Sequence, residues 1–248
     1  MEKRVGVIIE GKGLTKSFGG LTAVKKVDFN LNEGEIVGLI GPNGAGKTTL
    51  FNLVSGVFHP DSGKLYFDGH DITLLRPFEI CRLGIARTFQ IVRPFLEMSC
   101  LENTLVGIIG RNDKNGGKGE KRDEARNLLR FTGLENREQT LARDLTLIEK
   151  KRLEMARALA TKPKVLLLDE VLAGLNLSEI LQALELIEVI RTQLKMTIFW
   201  IEHVMGAIMK ASDRIIVLDQ GEKIKEGKSE EIVSDPRVIE AYLGESDA

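Results

Sequence analysis

Three continuous apolar runs divide the chain, at Ile36–Ile40, at 165–168 and at Thr197–Ile201. Runs that lack polar alternation are typical of parallel strands buried on both faces of a sheet. The first run passes into a glycine-rich loop and then into a helical pattern over 47–55. The pattern therefore predicts an α/β fold with a parallel sheet, in which one strand leads through a loop into a helix.

Shorter β-rich stretches with glycine and asparagine turns accompany this core. Residues 7–9 and 27–31 predict strands of an antiparallel sheet within 5–36, and 63–69 predict a strand that ends in an Asp-Gly turn. Residues 214–227 predict a hairpin. We therefore expect an antiparallel β subdomain beside the parallel core.

Helical periodicity dominates residues 91–160, and helices are predicted at 153–160, 178–194 and 238–243. Residues 111–120 interrupt this periodicity with polar and glycine residues. Because this stretch has nothing to bury, it predicts a mobile surface loop with solvated charges. We interpret the helical block as a subdomain inserted into the α/β core.

The composition narrows the class of protein. With 248 residues, 43% hydrophobic and 29% charged, the chain fits one large globular domain. The net charge of −1 predicts no nucleic-acid partner, and Cys81 and Cys100 lack C-x-x-C spacing, which suits a reducing cytosol. No apolar run reaches about eighteen residues, and the first residues do not resemble a secretory signal. We expect any membrane association to come through a partner.

Residues 41–48 match the phosphate-binding pattern G-x-x-x-x-G-K-[ST] at each fixed position. Such a loop turns backbone N–H groups toward an anion, and the following helix adds its positive N-terminus. We expect Lys47 to neutralise the β- and γ-phosphates of a nucleotide and the Thr48 hydroxyl to ligate Mg²⁺. The alternative is a glycine-rich turn that contains lysine by chance. The predicted nucleotide-binding residues are Gly41, Pro42, Asn43, Gly44, Ala45, Gly46, Lys47, Thr48 and Thr49.

Residues with catalytic chemistry follow the other predicted strands. Asp169 and Glu170 end the second apolar run and His203 follows the third, so they reach the edge where α/β sheets bind ligands. We expect Asp169 to hold Mg²⁺, Glu170 to be the general base for an attacking water and His203 to hold the γ-phosphate. Gln90 is expected to contact both metal and water, and Lys47 completes the catalytic set. A helix cap for the two acids and a structural role for His203 stay open as alternatives.

Phe18 lies upstream of the phosphate loop, after a lysine–serine pair and before two glycines. An aromatic ring at that place is suited to stack on an adenine base. An ordinary core aromatic fits the spacing equally well, so both interpretations stay open.

The order of these motifs resembles the nucleotide-binding subunits of ABC transporters over almost the whole chain. The segments that carry the resemblance are the phosphate loop, Thr88-Phe89-Gln90, the helical insert, RLEMARALA at 152–160, LLLDE at 166–170 and IEH at 201–203. Within that family, residues 83–107 and 166–180 look most like one of the two ATPase subunits of branched-chain amino-acid importers.

The resemblance implies an ABC ATPase fold in a single domain over 1–248. Residues 1–90 and 157–248 would form the nucleotide-binding α/β core with its β subdomain, and 91–156 the helical subdomain. The subunits would form a dimer around two ATP molecules, with Mg²⁺ as cofactor. Each ATP would lie on one chain's phosphate loop and against the partner's signature loop.

The resemblance also implies roles and partners. Phe18 would stack on adenine, Gln90 would couple the site to membrane subunits, and His203 would be the γ-phosphate switch. The implied partners are a second ATPase subunit, transmembrane permease subunits and, indirectly, an external solute-binding protein. The implied location is peripheral, on the cytoplasmic face of the inner membrane.

The signature loop departs from the family pattern LSGGQ, because Leu145 is followed here by Thr146, Leu147, Ile148 and Glu149. Thr146 keeps a hydroxyl for the partner's γ-phosphate. Because both glycines are lost, we expect Ile148 to be strained in a left-handed conformation, which costs about 1–2 kcal/mol. We also expect Glu149 to oppose phosphate binding.

Two further departures are Val171 in place of proline and Asn176 in place of aspartate. The signature and Asn176 act on the partner's site or across the interface, whereas this chain's own ATP-binding residues are intact. We therefore expect a heterodimer with a different ATPase chain that has an intact signature. A homodimer is the alternative.

Other functions stay open at this point. They are a nucleotide-gated subunit that does not hydrolyse ATP, an exporter ATPase, and an ABC ATPase that acts on ribosomes or DNA. The last class usually has two nucleotide domains or a long coiled coil, and this sequence has neither of these nor a basic stripe. The motifs do not record the substrate or the direction of transport.

Overall fold

The computed structural model describes residues 6–111 and 117–243, and within these ranges the chain forms two sheets. Their strands are β1 Val7–Phe18, β2 Leu21–Asn32, β3 Ile36–Ile40, β4 Ser62–Phe67, β5 His70–Asp71, β6 Ile85–Arg87, β7 Val165–Asp169, β8 Thr197–Ile201, β9 Arg214–Asp219 and β10 Glu222–Gly227. One sheet has the order β2-β1-β4-β5 and the other the order β10-β9-β3-β8-β7-β6. The predicted α/β class is confirmed.

The six-stranded sheet contains the three apolar runs as β3, β7 and β8. β3 pairs in parallel with β8 and β9, and β7 pairs in parallel with β6 and β8. All residues of β3, β7 and β8 are buried, which explains why these runs lack polar alternation. β9 and β10 form the predicted antiparallel hairpin. The carboxyl ends of β3, β6, β7 and β8 therefore share one edge of the sheet.

The antiparallel sheet is larger than the sequence predicts. β1 and β2 have twelve residues each, whereas only 7–9 and 27–31 are predicted as strands. Burial in the second half of β2 alternates, so polar residues occupy its exposed face and dilute the apolar signal. Phe29 on the buried face stacks on Phe199 of β8, with 5.6 Å between ring centroids. This contact joins the two sheets.

The helices of the described ranges connect and cover the sheets. They are α1 Lys47–Val54, α2 Pro77–Leu83, α3 Cys100–Gly110, α4 Lys118–Phe131, α5 Leu147–Leu159, α6 Leu177–Leu194, α7 Met205–Ala211, α8 Ser229–Val233 and α9 Pro236–Leu243. The sequence pattern does not predict α2, α7 or α8, because five to seven residues are too few to show helical periodicity. Over the part of the chain that the structure describes, no helix is long and apolar enough to cross a membrane.

Helices α3, α4 and α5 pack on one another around a shared apolar cluster that includes Leu101, Leu129 and Leu153. α5 begins at Leu147 rather than at the predicted residue 153, because Thr146 caps its first turn. The helix also runs past residue 156, where the predicted helical subdomain ends. The subdomain boundaries stay a prediction.

The predicted loop at 111–120 lies only partly within the described ranges. Residues 112–116 lie outside the described residues, and α4 already begins at Lys118. The expectation of solvated charges is wrong for Arg111, since its guanidinium donates two hydrogen bonds of 2.7 Å to the Glu124 carboxylate. This pair ties the end of α3 to α4.

Candidate nucleotide site

The phosphate loop lies between β3 and α1, so the nine predicted nucleotide-binding residues follow one another through one turn of the chain. Gly46 is the N-cap of α1 and has a φ of 99°, a backbone conformation that residues other than glycine rarely adopt. A Cβ atom there would lie 2.2 Å from the carbonyl oxygen of Ala23. The loop conformation therefore depends on the absence of a side chain at residue 46.

Lys47 is the first residue of α1 and is only 6% exposed. Its ammonium donates hydrogen bonds to the carbonyl oxygens of Gly41, at 2.6 Å, and Pro42, at 2.8 Å. The side chain therefore folds back across the loop, and its positive charge lies beside the loop backbone. Thr48 follows in the same turn and is exposed.

Asp169 ends β7 and is buried against Arg87, which ends the neighbouring strand β6. Arg87 donates from Nη2 to Asp169 Oδ2 at 2.7 Å, and from Nη1 to Asn52 Oδ1 and Ser55 Oγ at 2.7 and 3.0 Å. Arg87 thus connects the acid to the helix that follows the phosphate loop. The sequence interpretation does not assign a role to Arg87. Arg87 could have been identified as a basic residue at the end of a strand that is expected to lie beside Asp169.

Gln90, Glu170 and His203 come together, although they lie far apart in the sequence. Gln90 Nε2 donates to Glu170 Oε2 at 2.7 Å, and His203 Nε2 lies 3.0 Å from Glu170 Oε1. Each oxygen of the Glu170 carboxylate therefore has one of these partners. The alternative of a helix cap for the two acids is wrong, because the next helix, α6, is capped by Asn176.

Glu170 has a φ of 50°, which is uncommon for a residue with a side chain. Such a conformation costs about 1–2 kcal/mol and persists only where surrounding contacts hold it. Its amide donates to Ile201 O at 2.9 Å, and its carbonyl oxygen accepts from Ala173 N at 3.2 Å. The strained residue is therefore fixed from β8 and from the turn that follows it.

Glu202 is a buried acid that the sequence interpretation does not single out. Its carboxylate accepts from the backbone amides of Leu172 and His203, at 2.6 and 3.1 Å. Burial raises the pKa of this carboxyl group, and these amide donors oppose the rise. Glu202 thus links the segment after Glu170 to the segment that carries His203.

The altered signature forms the first turn of α5. Thr146 is the N-cap, and its hydroxyl and amide contact the Glu149 carboxylate at 3.0 and 2.9 Å. The predicted left-handed strain at Ile148 is wrong, because Leu147 and Ile148 have helical backbone and a helix needs no glycine there. Glu149 also pairs with Arg137 at 2.7 Å, so its charge is partly balanced.

Phe18 lies at the end of β1 and is 44% exposed, so it is not an ordinary core aromatic. Its ring meets the edge of Phe58 with 5.1 Å between centroids, and the Lys16 ammonium lies 5.7 Å from its centre. Ala23, in the next strand, touches Gly46 of the phosphate loop. The turn that follows Phe18 is therefore connected to the nucleotide site through β2.

Comparison with protein families agrees with this geometry. The profile of the ABC transporter family matches residues 24–173, which include the phosphate loop, Gln90 and Glu170. The profile of the branched-chain amino acid ATP-binding cassette transporter family matches residues 222–248.

Curated relatives match nearly the full length of the chain. The high-affinity branched-chain amino acid transport ATP-binding protein BraF of Pseudomonas aeruginosa is 39% identical over 251 residues, covering 96% of this chain and 98% of that protein. The corresponding protein LivG of Salmonella typhimurium is 42% identical over 246 residues, covering 94% of this chain and 96% of that protein.

Solved structures have the same fold. The ADP conformation of an ATP-binding cassette of an ABC transporter superposes with a TM-score of 0.87 at 32% identity, covering 96% of this chain and 99% of that chain. A dimeric, post-hydrolysis ATP-binding cassette bound to ADP and phosphate superposes with a TM-score of 0.81 at 26% identity, covering 90% of this chain and 99% of that chain.

Proposed function

This chain belongs to the ATP-binding subunits of ABC transporters, and from that premise we propose that it hydrolyses ATP to drive import of branched-chain amino acids. It is an ATPase that works with separate permease subunits. The assignment of branched-chain amino acids is supported by the profile match over 222–248 and by the functions of the relatives.

The observation that carries the proposal is the contact of Gln90 and His203 with the Glu170 carboxylate, at the same sheet edge as the phosphate loop. In the proposed mechanism, Glu170 accepts a proton from the water that attacks the γ-phosphate. Gln90 orients that water, and His203 binds the γ-phosphate. Lys47 neutralises charge on the β- and γ-phosphates.

We assign the binding of ATP to the loop residues 41–49 and the stacking of its adenine to Phe18. The exposure of the Phe18 ring supports this role, because a ring face must be accessible to stack on a base. Removal of the ring should therefore raise the KM for ATP and leave kcat nearly unchanged.

Mg²⁺ fits the oxygen donors at this edge. Thr48, Asp169 and Gln90 would hold it together with the nucleotide phosphates, since Mg²⁺ usually has few protein ligands. When bound, the metal supplies charge neutralisation at the phosphates.

Exposed apolar side chains around Gln90 support a contact with permease subunits. Phe89, Ile91, Phe95 and Leu96 are between 46% and 67% exposed, on a segment outside any helix or strand. Large apolar side chains that lie together on a surface commonly mark a protein interface. Gln90 lies within this segment, so it would connect the permease contact to Glu170.

We further propose that the partner ATPase is a different chain. The altered signature supports this proposal, because Leu147 is 47% exposed and the Glu149 carboxylate occupies the N-terminus of α5, where a phosphate would bind. The complete assembly would then contain two unequal ATP sites, the permease subunits and, outside the membrane, a solute-binding protein. The chain itself would lie on the cytoplasmic face of the inner membrane.

The test is steady-state ATPase activity and uptake of leucine by the assembled transporter with wild-type chain and with Glu170→Gln. The substitution removes the base and keeps the phosphate loop, so we expect ATP binding to persist while hydrolysis and uptake are lost. If the assembled wild-type complex bound ATP without turnover, the chain would be a nucleotide-gated subunit instead. Export of the same solutes would contradict the importer assignment.

A further inference from the structure

Helix α5 contacts its own active site through two charged side chains. Lys151 and Glu154 are three residues apart, so they lie on one face of the helix. The Lys151 ammonium donates to the backbone carbonyl oxygen of Glu170 at 3.4 Å. The Glu154 carboxylate accepts from the backbone amide of Phe89 at 3.2 Å, next to Gln90.

The Glu154 side chain is buried, and the Lys151 side chain is partly buried. Glu154 is 7% exposed, and burial raises its pKa to about 7. Burial also lowers the pKa of Lys151. Charged groups are rarely buried without a role, because their desolvation opposes folding unless they are hydrogen-bonded. Each of them is hydrogen-bonded here to the backbone of a segment that carries a candidate catalytic residue.

Apolar packing around these contacts is incomplete. A cavity of about 290 Å³ separates α5 from α6 and from the turn after β7, and its wall includes Phe89, Lys151, Glu154, Val171 and Leu175. Side chains that line a cavity lose part of the close contact that fixes neighbouring elements. Beside this cavity, the two hydrogen bonds connect this face of α5 directly to the segments that carry Gln90 and Glu170.

We propose that Lys151 and Glu154 are positioning residues for ATP hydrolysis. Lys151 supports the backbone of Glu170 through its carbonyl oxygen, whereas β8 holds the amide of the same residue. Glu154 holds the amide of Phe89 and so positions the neighbouring Gln90. Because both act from one helix, a displacement of α5 moves the two partners of the Gln90–Glu170 hydrogen bond together. The inference rests on the proposed hydrolysis of ATP at this site.

The first experiment measures kcat and KM for ATP in the assembled transporter with Lys151→Met and Glu154→Leu. Each substitution removes the polar contact and keeps the bulk, so we expect kcat to fall about tenfold with little change in KM. Lys151→Arg and Glu154→Gln keep a donor and an acceptor and should retain most of the activity. Lys150→Met on α5 and Glu185→Leu on α6 are matched controls, because neither side chain forms a hydrogen bond or ion pair with another described residue, and both variants should behave as wild type.

A second experiment does not depend on hydrolysis. Amide hydrogen exchange of the purified chain reports how well the Phe89 N–H is protected. This N–H donates a hydrogen bond to the Glu154 carboxylate. Relative to the amides of the buried strand β7, which report global unfolding, we expect exchange at the Phe89 amide to accelerate about tenfold in Glu154→Leu and to stay slow in Glu154→Gln.

The two experiments separate the possible failures. Unchanged kcat in Lys151→Met and Glu154→Leu, or an equal loss in the two control variants, would overturn the positioning role. Unchanged exchange at Phe89 in Glu154→Leu would overturn it as well, even if the wild-type complex had no ATPase activity. That absence of wild-type activity would count against the proposed function itself.

Discussion

The Asp169 carboxylate is 3% exposed, and Arg87 is the cation that balances its charge. Arg87 also binds two side chains of α1, so one guanidinium organises the acid and the helix after the phosphate loop. Sequence interpretation places Asp169, Glu170 and His203 at the correct sheet edge, because each ends or follows an apolar run. It assigns no role to Arg87 or to Glu202, although Glu202 lies inside the segment IEH at 201–203, since their roles depend on which strands are neighbours.

Substitution of Arg87 tests this balance. Arg87→Met would leave the Asp169 carboxylate buried without its partner, so we expect the free energy of unfolding to fall by about 3–5 kcal/mol. Urea unfolding measures the change. Arg82→Met, at an exposed arginine whose guanidinium lies 5.3 Å from the centre of the Phe78 ring, is the control and should change stability by less than about 0.5 kcal/mol. Equal stabilities of the two variants would contradict the assignment.

Glu154 makes the stability of the chain depend on pH. Burial raises its pKa from 4.5 to about 7, while Lys151, Arg157 and Asp169 are the charged groups that act on it most. Between these values the folded chain retains a proton that the unfolded chain has released, so stability is lost as the pH rises. Relative to Glu154→Gln, which does not titrate, the wild-type free energy of unfolding should fall by about 2.5 kcal/mol from about pH 5 to about pH 8.

Chemical unfolding of both proteins at several pH values measures this difference. The raised pKa of Glu202 is common to both proteins, so its contribution cancels. If the free energy of unfolding of wild type relative to Glu154→Gln did not fall as the pH rises, the pKa of Glu154 would not be raised in the folded chain.

At the scale of elements, the phosphate loop is the part that sequence predicts best, because its fixed residues describe backbone geometry directly. The start of α5 shows the opposite case. Thr146 and Glu149 form a capping box that can be recognised in the sequence. Alignment with the glycine-containing family signature nevertheless leads to the wrong prediction of a loop with a strained Ile148. A local helix signal decides the structure there. The short helices α2, α7 and α8 are set by packing and have no periodic signal of their own.

Two glycines of the loop give a matched test of its geometry. Gly46→Ala would bring a Cβ atom against the Ala23 carbonyl, whereas a Cβ atom at Gly44 meets nothing within 4 Å, although both residues have positive φ. We expect Gly46→Ala to abolish binding of an ATP analogue and Gly44→Ala to weaken it by less than about thirtyfold, from a strain of about 2 kcal/mol. Titration calorimetry measures both affinities. Equal losses would mean that backbone strain, not the clash, controls the loop.

At the scale of the molecule, the sequence predicts two sheets and a helical block, and the structure contains them. It cannot predict how these parts connect across the site. The stacking of Phe29 on Phe199 and the contacts of Lys151 and Glu154 join residues far apart in the sequence, and no local pattern encodes such pairs. The same limit applies to the partner ATPase, which only the altered first turn of α5 suggests.

Size-exclusion chromatography tests the heterodimer. In the proposed heterodimer, the Glu149 carboxylate at the N-terminus of α5 disfavours a phosphate of a second identical chain, so purified Glu170→Gln should bind Mg-ATP and remain monomeric. Leu147→Gly, Ile148→Gly and Glu149→Gln added to Glu170→Gln restore a family-like signature and should produce a dimer only with ATP. Lys47→Ala in that background is the control that should not dimerise. An ATP-dependent dimer of Glu170→Gln alone would favour the homodimer.

The contacts of Lys47 also affect the thermodynamics of nucleotide binding. A mobile lysine side chain loses about 2 kcal/mol of rotamer entropy when it is fixed. The carbonyl groups of Gly41 and Pro42 already hold this ammonium. Most of the loss of side-chain entropy therefore occurs when the chain folds, before a nucleotide binds. The entropic cost of phosphate binding is thus reduced, although the phosphate must compete with the two carbonyl oxygens for the ammonium. The affinity of the loop reflects a competition in which phosphate and carbonyl oxygens exchange places around one cation.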